Sequence, residues 1–189
     1  MSDAALQFLL SRRSVPAKTL VHPAPDRDAL GPILQAGARV PDHKMLEPWR
    51  FLVLEDAALN RLADVLYQRA TDLGLGVEKA EKARTSFRTA PLSVAVVASP
   101  KPTDAIPEVE QTLSAGAACL SVLNAALSAG WGANWITGWM AFDREFLGSE
   151  LGLLDHEFVA GYIHIGTVSV RPSDRRRPDV GAITHWISA

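Results

Sequence analysis

The chain has 189 residues, of which 48% are hydrophobic and 21% charged, an ordinary globular composition that excludes wholesale disorder. A length of this order predicts one domain over residues 1–189, large enough to bury a core without staples. The net charge of -2 argues against a nucleic-acid partner, and the single cysteine, Cys119, excludes an intrachain disulfide and a cysteine-based zinc site.

The opening stretch, MSDAALQFLLSRRS, does not read as a secretory signal, because an acidic residue comes early and the short apolar run leads into arginines. From Ala4 to Leu10 the spacing predicts a short helix with Ala5, Phe8 and Leu9 on one face. It runs into Ser11-Arg12-Arg13-Ser14 and stops at Pro16. Pro16, Pro23 and Pro25 predict an extended connection, and Asp26 caps a second helix with Leu30, Ile33, Leu34 and Gly37 at helical spacing. Val40 to His43 reads as a loop, and Pro48 keeps the chain extended towards a strand over Phe51 to Leu54. Asp56 opens an amphipathic helix with Leu59, Leu62, Leu66 and Tyr67, ended by Gly74 and Gly76. Val77 to Phe87 predicts a charged, exposed helix. Leu92 to Ala98 is a buried-strand pattern, and three prolines in 100–107 make a loop.

Glu108 to Ala129 is the longest helical signal, and Ser114 to Ala118 is small on every face. Small residues let a second helix approach closely, which predicts either the centre of an obligate dimer or a helix buried within one subunit. Leu113 to Trp135 is the most apolar stretch, but Ser114, Ser121, Asn124 and Ser128 interrupt it, so no membrane span is expected and the cytoplasm is the default location. Gly130-Trp131-Gly132 turns the chain into an extended segment over Ala133 to Thr137. Asp143 opens a short helix ending near Gly152, and Phe158 to Val170 alternates as a strand with two internal glycines. The tail from Arg171 is polar until Trp186 and Ile187. The order predicts an α+β or layered α/β domain without regular βαβ alternation.

No phosphate-binding glycine loop, nucleophile elbow or helical His pair at metal spacing is present. Neither a metal nor a side-chain nucleophile is therefore expected, and Cys119 reads as buried and inert. Arg12, Arg13 and Ser14 can surround a phosphate, because guanidinium forks donate paired hydrogen bonds to its oxygens. By themselves they read first as solvated cations at a helix C-terminus, where the dipole favours them. Arg39, Asp42, His43, Lys44 and Glu47 form a polar loop leading into Pro48-Trp49, either pocket lining or plain surface. The densest signal is Gly130 to Trp139, with three of the five tryptophans among three glycines. Flat indole walls beside exposed backbone suit a planar aromatic ligand; the alternative is a core turn packed with aromatics.

Arg12-Arg13-Ser14, Ala36-Gly37 with Arg39, Pro41-Asp42-His43-Lys44 before Pro48-Trp49, Glu110-Gln111 with Ser114-Ala115-Gly116, and Trp135-Ile136-Thr137-Gly138 occur in that order. As a set they resemble the FMN-dependent nitroreductase family, in its compact branch of minimal NAD(P)H nitroreductases. The resemblance implies an α+β sandwich, with a mixed, mainly antiparallel sheet flanked by helices, forming an intertwined homodimer with FMN at the interface. It implies that Arg12, Arg13 and Ser14 meet the FMN phosphate, joined by Arg177 from the basic tail. It implies that Arg39 and His43 reach the flavin of the other subunit, and that Trp135, Ile136 and Thr137 lie along the isoalloxazine edge. Ala125 to Gly130 matches a stretch assigned to the nicotinamide nucleotide. The implied activity is ping-pong hydride transfer from NAD(P)H through FMN to a small-molecule acceptor such as a nitroaromatic or quinone. A non-catalytic flavin- or nucleotide-binding module of the same fold is the alternative. Pro16, and Met45-Leu46-Glu47-Pro48 before the aromatic, depart from the family's common pattern.

Overall fold

The computed structural model describes residues 3–188; Met1, Ser2 and Ala189 lie outside the described residues. Helix α1 (Asp3–Ser11) buries none of its residues. A two-residue strand, β1 (Leu20–Val21), follows and precedes α2 (Arg27–Gly37), where the Asp26 carboxylate accepts the Ala29 N–H at 2.9 Å as the expected cap. The next elements are β2 (Trp49–Leu54), α3 (Asp56–Asp72), α4 (Val77–Arg88), β3 (Leu92–Ala98) and the long α5 (Glu108–Ser128). The chain continues through β4 (Gly132–Ile136), α6 (Arg144–Leu151) and β5 (Phe158–Val168). From Ser169 the tail has no regular element except a 3-10 turn at Gly181–Ile183.

The strands form a sheet in the order β1-β5-β3-β2, with β4 also paired to β5. Every pairing among the described residues is antiparallel, which corrects the expectation of a mixed sheet. The connections explain it. Two helices, α3 and α4, return the chain to the end of the sheet that β2 left, so β3 runs back beside β2. A single helix, α5, then makes β4 parallel to β3, but β5 inserts between them and converts that relation into two antiparallel pairs.

All seven residues of β3 are buried, as a strand covered on both faces requires. Its alternation divides the core. Ala95 and Val97 face a cluster with Leu59, Leu62, Leu66, Phe87 and Tyr162 beneath α3, α4 and α6. Val94 and Val96 face a second cluster with Leu30, Ile33, Val122, Ile163 and Ile165 beneath α2 and α5. Gly37 lets α2 lie against α5, because an added Cβ there would collide with the Val122 side chain. The Ser121 hydroxyl donates to the Ala36 carbonyl at 2.8 Å in the same contact.

Helix α4 differs from its expected exposed character. Ala80, Ala83 and Phe87 are buried, forming a narrow apolar strip at helical spacing that the surrounding charges hide in the sequence. Helix α5 divides the two readings offered for it. Ser114, Ala115, Ala118, Cys119, Val122 and Ala126 are buried against the chain's own sheet, while Val109, Leu113 and Leu120 on the other face are exposed. Burial pushes the Cys119 thiol up to about 12, so it is inert as expected. Among the described residues no helix is long and apolar enough to cross a membrane.

Candidate functional site

Helix α1 ends where the Arg12 N–H bonds the Phe8 carbonyl, and Val15 then docks on β4. The Val15 N–H donates to the Ala133 carbonyl at 2.9 Å, and the Asn134 side-chain amide donates back to the Val15 carbonyl at 2.6 Å. These two bonds hold Arg12, Arg13 and Ser14 beside the edge of β4. An Arg12 Nη donates to the Ser14 hydroxyl at 3.0 Å, and an Arg13 Nη donates to the Ser14 carbonyl at 2.9 Å. The tail closes over them: Arg13 Nε donates to the Ser173 carbonyl at 3.4 Å, and Arg177 donates to the Arg12 carbonyl at 3.4 Å. Two adjacent guanidinium groups and a third from far along the chain, Arg177, thus converge.

The electrostatics mark this convergence as underneutralised. Burial, and then the charges of Arg177 and Arg13, hold the Arg12 guanidinium below its ordinary range. Arg12 Nε is buried with no hydrogen-bond partner, an uncommon state for a native polar group. A donor cluster with surplus charge and an unused N–H fits a phosphate.

The other end of β4 is shaped for something flat. The Trp135 indole lies over Gly161 of β5, where any Cβ would collide with it. Ile136 packs against the α3-side core, while Thr137 is exposed. Beyond them lies a cavity of ≈ 440 Å³, lined by Ile136, Thr137 and Trp139 and, from α4, by Lys79, Lys82 and Ser86. That size suits a small ligand, and its walls combine apolar surface with two cations. Lys79 and Lys82 were missed in the sequence. They stand one turn apart on α4 and so share a face, but nothing local says that this face looks towards β4.

Arg39 and His43 stand elsewhere. Arg39 is exposed just beyond α2, and His43 Nδ1 lies 2.9 Å from Glu110 in the first turn of α5. No hydrogen bond or ion pair among the described residues joins either residue to the Arg12 cluster or to Trp135–Thr137. Their loop is strained: Lys44, Met45 and Glu47 all have positive φ, at 60°, 53° and 48°. It is held by the Asp42 carboxylate, which accepts the Leu46 and Glu47 N–H groups at 3.1 and 2.8 Å. The Ser114 hydroxyl adds a bond to the Pro41 carbonyl at 2.7 Å and itself accepts from the Trp49 indole at 3.1 Å. Strain of this kind persists only where several contacts over-determine it. Among the described residues no group of three His, Cys, Asp or Glu side chains gathers as metal ligands do.

Gly161→Ala is expected to cost about 1–2 kcal/mol, because the new methyl must displace the Trp135 indole. Trp135 is 37% exposed, so the ring has room to swing. Urea unfolding of Gly161→Ala, Trp135→Ala and the double variant checks this. Full additivity of the two changes would rule out the contact as the cause.

The nitroreductase family model matches residues 9–167. The chain is 35% identical over 169 residues to an Escherichia coli (strain K12) protein named "Putative NAD(P)H nitroreductase YdjA", covering 89% of this chain and 91% of that one. Its structure is similar to that of a nitroreductase-like family protein from Bacillus cereus, with a TM-score of 0.82 at 21% identity over 100% and 97% of the two chains. It is also similar to a nitroreductase with bound FMN from Bacteroides fragilis NCTC 9343, with a TM-score of 0.74 at 22% identity over 98% and 100%. At such identities these two structures speak to the fold alone.

Proposed function

The chain belongs to the nitroreductase family, and from that premise we propose that it is a cytoplasmic FMN-dependent oxidoreductase, a single unit over residues 1–189 that works as a homodimer. The observation that carries this reading is the convergence of Arg12, Arg13 and Arg177 at one end of β4, with the apolar, lysine-bearing cavity at the other end. A ligand with a phosphate at one end and a flat ring at the other matches both halves. FMN has that form, and it is bound in the Bacteroides fragilis relative.

In this reading Arg12, Arg13, Ser14 and Arg177 hold the phosphate by charge-assisted hydrogen bonds. The backbone of Trp135, Ile136 and Thr137 lies along the ring edge. Lys79 and Lys82 place positive charge beside the ring, where it favours negative charge arriving there. Arg39 and His43, which lie apart from this cluster within one chain, serve the partner's site. The exposed apolar residues Leu6, Leu9 and Leu10 of α1, and Val109, Leu113 and Leu120 of α5, support a dimer, since unpartnered apolar surface of this kind marks association. When bound, FMN supplies the hydride chemistry, taking reducing equivalents from NAD(P)H and passing them by a ping-pong route to a nitroaromatic, quinone or similar flat acceptor. The chain then needs no nucleophile of its own.

The test is an absorbance spectrum of the purified protein followed by anaerobic titration with NADPH and with NADH. Flavin bands that bleach support the oxidoreductase. Bands that persist with both donors favour a binding module of the same fold, and a colourless protein that takes up no FMN overturns the reading. Arg13→Ala is expected to weaken FMN binding by about 2 kcal/mol, roughly thirtyfold in Kd. Quenching of flavin fluorescence measures it, and an unchanged Kd removes the phosphate from this cluster.

A further inference from the structure

Among the described residues, one carboxylate lies within ion-pairing distance of Arg12, Arg13 or Arg177. It is Asp174, whose Oδ1 is 2.9 Å from Arg177 Nη2. We propose that Asp174 is an exchangeable counter-ion of the arginine cluster, occupying Arg177 until a ligand phosphate displaces it and thereby setting how tightly phosphate-bearing ligands are held. This rests on the reading that the cluster receives a phosphate.

Asp174 is placed by the same tail segment that closes the site. Its Oδ1 also accepts the Arg175 N–H at 2.8 Å. The preceding residue, Ser173, offers its carbonyl to Arg13. The Arg177 Nη2 that meets Asp174 is the atom that reaches the Arg12 carbonyl. The carboxylate therefore engages the very group that a phosphate would use. The Arg175 N–H and then the charge of Arg177 hold Asp174 below the usual carboxylate range, and Arg13 adds to this, so it is ionised whenever the site is in use.

Its hold is nonetheless weak. The Asp174 side chain is 78% exposed, and its partner is three residues away on an exposed segment, an arrangement worth little in water. A phosphate carries up to two charges and accepts from several guanidinium N–H groups together, so it outcompetes a single exposed carboxylate. Asp174 can rotate into solvent as the phosphate enters. Between ligands it keeps Arg177 folded over Arg12 and reduces the repulsion among the three cations. Once the phosphate is bound, the displaced carboxylate remains nearby and repels it, which lowers affinity and eases release.

The test compares FMN with riboflavin, which has the same ring system without the phosphate. Dissociation constants are measured by flavin fluorescence on the full-length protein stripped of bound flavin, for wild type, Asp174→Asn and Arg13→Ala. Asp174→Asn is expected to tighten FMN roughly threefold and to leave riboflavin unchanged, with the gain shrinking at high salt. If wild type prefers FMN and Arg13→Ala erodes that preference, while Asp174→Asn changes nothing or tightens both flavins alike, the counter-ion role is overturned and the phosphate site stands. If Arg13→Ala leaves the preference for FMN intact, the phosphate assignment and the counter-ion role both fall. Because Asp174 is exposed, neither outcome is clouded by misfolding; Asp174→Ser serves as a second variant with the same expected sign.

Discussion

Replacing Arg50 by alanine is expected to destabilise the fold by about 3 kcal/mol. Arg50 sits in β2 and grips Glu157, at the entry to β5, with two parallel bonds of 2.9 and 2.7 Å. The Glu157 side chain is only 3% exposed, so removing its partner leaves a carboxylate charge with little water to replace it. Arg50 itself is 39% exposed, which keeps the cost at the low end of the range for broken buried pairs. The Leu154 N–H still donates to Glu157 at 3.0 Å, and Arg144 still donates to its carbonyl. The bond from Arg50, helped by that N–H and by Ser99, pulls the Glu157 carboxyl down to about 2 despite its burial. A depressed carboxyl contributes stability that is full above its unfolded value of 4.5 and is lost as pH falls towards about 2. Arg50→Ala should therefore remove most of that acid-sensitive component as well. Urea unfolding of Arg50→Ala, Glu157→Gln and the double variant measures both effects. A double variant no more stable than Arg50→Ala would show that the stranded charge is not the cause.

A second loss of stability is expected at higher pH, from His164. This residue is fully buried in β5, with Nδ1 sharing a hydrogen bond with Ser93 at 3.0 Å, Phe87 edge-on at 5.8 Å, and Nε2 without a partner. Burial lowers its pKa from 6.5 to about 4, and the backbone at Ser86 offsets this only partly. The unfolded chain then takes up a proton at His164 where the folded chain does not. The contribution is whole above pH 6.5 and falls as pH drops towards about 4, by about 3 kcal/mol at its full extent. His164→Gln keeps a polar partner for Ser93 but cannot titrate. The expected result is that the wild type loses stability to urea between about pH 6.5 and about pH 4.5 and that His164→Gln loses much less. Equal losses in the two proteins would assign the acid sensitivity to other groups. The His164 and Glu157 windows lie largely one above the other, so a single pH series separates them.

Several features needed only the sequence, because their causes are local. Asp26 caps α2 through its own carboxylate, and Leu92–Ala98 carries the apolar run of a strand covered on both faces. That Arg12, Arg13 and Ser14 lie within one turn of chain and that Arg177 belongs to a basic run is plain in the sequence, but from the residues alone the first three read as solvated cations, and only the family resemblance pointed all four towards a phosphate. What chain order could not supply is which distant segments meet. The two-residue β1 has too little pattern to announce itself and exists because Leu20 and Val21 find Val168 and Thr167. The buried strip of α4 is three small or aromatic residues among charges, and it becomes a core face only against α3. Lys79 and Lys82 reach the cavity because α4 packs where β4 ends, and Asp174 reaches the arginines because the tail folds back over residues 12–14. The sheet is antiparallel because β5 inserts between β3 and β4, a choice made by pairing and not by any strand's own sequence. Propensity, capping and periodicity act over a few residues and are written locally, so the sequence by itself determined the longer elements and the family resemblance. Charge convergence and strand order depend on segments far apart in the chain, and only the tertiary structure decided them.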